Sequence, residues 1–291
     1  MNRRQVLCAL VALLFALPAA AAEFKSDRIV VTVEGSGPDV VLIPGLTSSP
    51  RVWMSTVQAM PGYRYHLVQL RGFAGLAAEG NAQGLVTAQS AEEIARYISE
   101  QKLKAPAVVG HSMGGTMAMM IAERHPADVG KVMVVDMMPF IGALFGPPGT
   151  TAESVKPAAD QVKASLEAST GDARKARIEQ TIAGMMKNES QRAFAIRDGI
   201  DSDPGVGARA MHELITTDLR PDLTKIKVPM TVLYVKQPGM PLTDEQLDGF
   251  YKASYAPVPQ IKLMRIPDSY HFIMQDAPQR FQSELKTFLA S

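Results

Sequence analysis

Gly110-His111-Ser112-Met113-Gly114 places a serine between glycines in the pattern G-x-S-x-G. A serine hydroxyl is unreactive at its free pKa and becomes a nucleophile only beside a base. The flanks give the pattern meaning. Ala105 to Val109 reads as a short buried strand, and Gly114 to Arg124 as an apolar helix that ends near Pro126. A sharp strand-to-helix turn holds its serine in a strained backbone with Oγ above the sheet. Side chains two residues either way would collide there, and Gly110 and Gly114 remove the collision. The helix start aims its amide dipoles at the same point. A phosphate loop would need a following lysine, and a dinucleotide turn a different glycine spacing. The bland alternative is a glycine-rich turn carrying an incidental serine.

The base follows by elimination among five histidines. His66 lies inside a strand, His111 adjoins the serine and points elsewhere, His125 precedes Pro126, and His212 falls in a helical insertion. His271 remains, in Ser269-Tyr270-His271-Phe272-Ile273, just after the last strand. Loops at the carboxyl ends of parallel strands are where such sheets present reactive groups. No His-Glu metal spacing or thiolate cluster occurs, so no metal and no organic cofactor is expected.

These residues need a scaffold, and the hydrophobic pattern supplies one. Apolar runs at Ile29 to Glu34, Asp39 to Ile43, Tyr63 to Leu70, Lys131 to Val135, Pro229 to Val235 and Gln260 to Ile266 read as strands. Helical patterns separate most of them. In Ala88 to Gln101, for example, Ala91, Ile94, Ala95 and Ile98 share one face, opposite Glu92, Glu93 and Arg96. Continuous rather than alternating apolar strands between helices indicate an α/β fold, its mostly parallel sheet covered on both faces. From Phe140 to about Arg220 no strand is evident. Glu153 to Ala168, Asp172 to Lys187, Ser190 to Asp201 and Val206 to Thr217 each read as amphipathic helix. The expected division is a core of 27–139 and 226–291 with a helical cap or lid at 140–225.

The chain has 291 residues, 46% hydrophobic and 20% charged, the balance of a protein with a real core. Its first residues read as a signal peptide: Arg3 and Arg4, an apolar run from Val6 to Leu17, then Ala19 to Ala22, with cleavage after Ala22. The run is short for a bilayer span of ~30 Å. An exported protein, periplasmic or secreted, is therefore expected, and Arg3-Arg4 leaves a twin-arginine route open. Cleavage would remove Cys8, the single cysteine, and leave 28 basic against 29 acidic residues. Such a chain has no basic field for nucleic acid or anionic membrane, so a small-molecule substrate is the expected partner. Oligomeric state is not readable.

Taken together, these motifs resemble the α/β-hydrolase family. Ile43-Pro44-Gly45-Leu46 with Trp53 looks like its oxyanion-loop segment, Arg71-Gly72-Phe73 like its post-strand loop, and Gly110 to Gly115 like its nucleophile elbow. His271-Phe272 through Pro278 and Phe281 is similar to its histidine loop and last helix. The resemblance covers nearly all of residues 27–291 and implies about eight strands with a variable helical cap. It further implies oxyanion donation by the backbone N–H groups of Met113 and Leu46. The family often has histidine before that glycine, where this chain has Pro44.

The third triad member departs from the pattern. The family usually places an acid after the strand that ends at Val235, yet the chain reads Lys236-Gln237-Pro238-Gly239-Met240. Some members use an acid at the place of Asp136, which makes Asp136 the first choice, with Asp268, Asp218 and Asp244 left open. The expected chemistry is acyl transfer on a small or medium apolar carboxylic ester; amide, lactone, thioester and carbon–carbon cleavage remain open on the same scaffold. A degenerate relative that only binds ligand is the rival the missing acid favours. Family members with an aspartate nucleophile are disfavoured by Ser112.

Overall fold

The computed structural model describes residues 24–291 except residue 148; the expected signal peptide lies outside the described residues. Among the described residues seven strands form one sheet: β1 (Ile29–Gly35), β2 (Asp39–Ile43), β3 (Arg64–Leu70), β4 (Ala107–His111), β5 (Lys131–Val135), β6 (Met230–Tyr234) and β7 (Ile261–Arg265). Their order is β1-β3-β2-β4-β5-β6-β7. Only β1 runs antiparallel, on β3; every other pairing is parallel. The resemblance implies about eight strands. The sequence offers seven β-branched or apolar runs, and all seven are used.

Two covering layers follow from burial. Residues of β2, β4 and β6 are buried throughout or nearly so, as strands covered on both faces must be. The helices are α1 (Met54–Ala59), α2 (Thr87–Glu100), α3 (Met113–Arg124), α4 (Lys156–Ala168), α5 (Gly171–Met185), α6 (Arg192–Asp201), α7 (Pro204–Thr216), α8 (Asp244–Tyr255), α9 (Ile273–Asp276) and α10 (Pro278–Ala290). On α2 the expected apolar stripe of Ala91, Ile94, Ala95 and Ile98 is buried. One core cluster joins α2, α3 and α8 to the sheet; a second packs Trp53, Phe281, Leu285 and Phe288 on its other face.

Helices α4 to α7 all fall between β5 and β6, with no strand among the described residues there. Val206, Ala210 and Leu214 of α7 join the first core cluster, Ala195 of α6 joins the second, and buried carboxylates add polar ties. Glu213 of α7 accepts from the amides of Val86, Thr87 and Ala88 at 2.7–2.8 Å, filling the otherwise unpaired donors at the start of α2. Asp198 of α6 is fully buried and accepts from Ser49 N and Oγ at 3.0 and 2.6 Å, with Arg51 closing the pair. Asp276 of α9 accepts from the amides of Lys187, Asn188 and Tyr270. Among the described residues no helix is long and apolar enough to cross a membrane.

Candidate active site

Strand order builds the site. The chain leaves β2 toward β3 on one side, while β4 lies on the other, so the order of strands along the chain reverses between β2 and β4. Crevices outside the carboxyl ends of strands at such a point are where open α/β sheets bind ligands. Ile43 pairs with Gly110, which sets Gly45 beside Ser112. A Cβ on Gly45 would lie 3.1 Å from Ser112 Cβ, so the residue there must be small.

Ser112 has φ 54° and ψ −123°, a left-handed backbone that side chains rarely adopt. Such strain costs about 1–3 kcal/mol and persists only where the surroundings enforce it. They do: Ser112 N donates to Val135 O at 2.9 Å, and Gly115 N and Thr116 N take up Ser112 O. A Cβ on Gly110 would meet Gly114 O at 2.0 Å, and one on Gly114 would meet Ile43 O at 2.2 Å. The glycines are thus required by close backbone approach, as the spacing implied.

Asp136 directly follows β5, again with positive φ, and its amide donates to Leu233 O at 2.7 Å. Its carboxylate is buried and takes three bonds. Oδ2 accepts from His271 Nδ1 at 2.6 Å and from Gln237 Nε2 at 3.0 Å, and Oδ1 accepts from Val235 N at 3.1 Å. The other three acids are elsewhere. Asp268 is 94% exposed near Lys187, Asp218 pairs with Arg220, and Asp244 lies between Lys236 and Arg265. The segment after Val235, which lacks a carboxylate, sends the Gln237 side chain to Asp136 instead, beside the amide of Val235 itself.

Ser112, Asp136 and His271 line one cavity of about 580 Å³, roofed by residues of α5 to α7 such as Ile182, Met185, Ala195 and Met211. Among the described residues no direct hydrogen bond joins Ser112 to His271, although both line the same cavity. Leu46 also lines the cavity, and neither Leu46 N nor Met113 N has an acceptor among the described residues. Met137, Met138, Leu214, Met240 and Phe250 make the remaining walls largely apolar.

His111 does more than the sequence suggested. Its ring is fully buried, 4.6 Å from the His271 ring and 4.9 Å from Phe272, and Nε2–H donates to the His271 carbonyl at 3.0 Å. Burial, with the neighbouring His271 adding to it, holds its pKa well below the ordinary value. The residue before the serine therefore grips the backbone of the histidine. The other three histidines are committed outside the cavity: His66 to Tyr97 and Asp39, His125 to Glu92, His212 to Asp160. Among the described residues no cluster of three or more His, Cys, Asp or Glu could hold a metal.

Comparison with known proteins defines the class. Residues 40–283 match the sequence profile of the alpha/beta hydrolase family, and the chain belongs to that family. A pimeloyl-[acyl-carrier protein] methyl ester esterase of Vibrio cholerae is 30% identical over 216 residues, which is 72% of this chain and 79% of that protein. Its counterpart from Vibrio atlanticus is 29% identical over 227 residues, 74% and 82% of the two chains. Two solved structures share the fold at lower identity. An esterase from Exiguobacterium antarcticum gives a TM-score of 0.74 at 21% identity, covering 90% of this chain and 96% of that one. A hydrolase from Pseudomonas aeruginosa PA01 gives 0.74 at 14%, covering 90% and 94%. The chain is thus an α/β hydrolase with esterase relatives.

Proposed function

We propose that the protein is a serine esterase working by acyl transfer, with Ser112 as nucleophile, His271 as base and Asp136 as the acid. One observation carries the reading: Asp136 holds His271 Nδ1 at 2.6 Å on the wall of the cavity that also contains the strained Ser112. A carboxylate can only accept, so Nδ1 carries the proton and the lone pair stays on Nε2. Nε2 takes the Ser112 proton as Oγ attacks the carbonyl. The amides of Leu46 and Met113 stabilise the oxyanion. His271 then protonates the leaving alcohol, and water releases the acyl group.

The apolar walls favour an apolar ester, and the relatives' names favour an ester over an amide. Residues 140–225 act as the cap that roofs the site. The protein is exported, with Glu23 as the mature N-terminus; N-terminal sequencing of the exported form checks this. The test of function is a panel of p-nitrophenyl esters given to mature protein beside Ser112→Ala. Hydrolysis lost in the variant supports the reading, and equal turnover by both proteins refutes it.

A further inference from the structure

A second chamber of about 220 Å³ adjoins the main cavity. Its walls come from three helices: Val162 and Leu166 of α4, Ile178 of α5, and Pro204, Gly207 and Ala208 of α7. Leu46, Thr47, Thr181, Ile182 and Met211 border both spaces. The shared wall therefore includes Leu46, next to where the reacting carbonyl would sit.

We infer that this chamber receives the acyl arm of the substrate, as a hydrocarbon chain. The inference rests on the esterase reading above. The direction follows from the roles there. His271 must reach the leaving oxygen, so the alcohol lies toward His271 and Phe272. The acyl arm leaves on the opposite side, past Leu46 and Thr47.

The chemistry of the chain follows from the lining. The charged residues of the chamber are already engaged. Arg174 donates to the carbonyls of Gly199, Ile200 and Ser202, capping the end of α6. Arg177 donates to Ser165 O and Oγ near the end of α4. Asp203 accepts from Val206 N at the start of α7. With these groups held by the helix ends, methylenes of the chain meet Val162, Leu166 and Ile178.

The experiment compares two substrate series on the mature protein. In one the acyl arm lengthens from acetate through butanoate and hexanoate to octanoate under a constant p-nitrophenol. In the other the alkyl arm of an acetate ester lengthens. Each acyl methylene that enters the chamber should raise kcat/KM about fourfold. Leu166→Trp and Val162→Phe, two half-buried positions confined to the second chamber, should each lower the octanoate-to-acetate ratio about tenfold or more.

A uniform loss on all esters, or a rise that follows the alkyl arm instead, overturns the proposal while leaving the esterase reading intact. Failure of every ester, with no Ser112-dependent turnover, removes the esterase reading instead. Binding of decanoate to Ser112→Ala, by calorimetry, decides the chamber independently of turnover. It should be lost when Leu166→Trp is added, and equal binding with and without that change overturns the proposal.

Discussion

Asp136→Asn tests the geometry at its tightest point. The carboxylate now takes three donors: Val235 N on Oδ1, and Gln237 Nε2 and His271 Nδ1 on Oδ2. Asparagine has one oxygen and one NH2 group. If the oxygen faces His271, the NH2 is pressed against the buried Val235 N–H, donor against donor. If the oxygen faces Val235, the NH2 faces His271 and Gln237. The Gln237 amide can turn over and accept, so the second arrangement wins. His271 must then accept at Nδ1 and carry its proton on Nε2, the nitrogen that should remove the Ser112 proton. A wrong tautomer with otherwise intact geometry lowers kcat by ~10⁴, or about 5 kcal/mol of transition-state stabilisation. The assay is kcat on a p-nitrophenyl ester, with thermal melting to confirm the fold. A loss below tenfold in Asp136→Asn, with a far larger one in Asp268→Asn, Asp218→Asn or Asp244→Asn, would refute the assignment.

Three further outcomes are expected. His111→Phe keeps a buried ring but deletes the bond to the His271 carbonyl; kcat should fall about tenfold with melting temperature held or raised, because the unpartnered Nδ1 goes too. His111→Gln, which retains an N–H donor, should recover part of that loss, and equal kcat in all three proteins would exclude a positioning role. Glu213→Ala strands the amides of Val86, Thr87 and Ala88 and should cost about 3 kcal/mol in denaturant melts; a cost under about 1 kcal/mol would contradict the clamp. Glu123, whose Oε2 is buried without a partner, has its pKa pushed up by burial to about 7. The folded state thus holds a proton that the unfolded state releases near 4.5, so this group's contribution to stability falls as pH rises between those values. Glu123→Gln should leave the melting temperature unchanged below pH 4.5 and raise it above pH 7; the opposite dependence would contradict the burial argument.

Much of this was legible from the residues, for physical reasons. The seven strands announce themselves because each is an apolar or β-branched run, and Lys131 to Val135 is bounded as expected. Ser112 is legible because tight backbone packing admits only glycine at 110 and 114. In sequence, Asp136 is only the first of four candidate acids. What distinguishes it is a pairing across 135 positions, which no local pattern encodes. Gln237 falls in the stretch that reads as lacking a carboxylate, and only the fold shows its amide donating to Asp136. His111 reads in sequence as a bystander of the serine, and only the fold shows its ring donating to the His271 backbone. The anchors Asp198, Glu213 and Asp276 gave no signal, because a buried carboxylate that gathers distant amides reads in sequence like any surface acid of a helix.

The central claim is most directly tested by treating the folded mature protein with a fluorophosphonate and locating the adduct by mass spectrometry. Phosphonylation of Ser112 is expected, abolished in Ser112→Ala and strongly slowed in His271→Gln. No adduct, or one on a different serine, would contradict it.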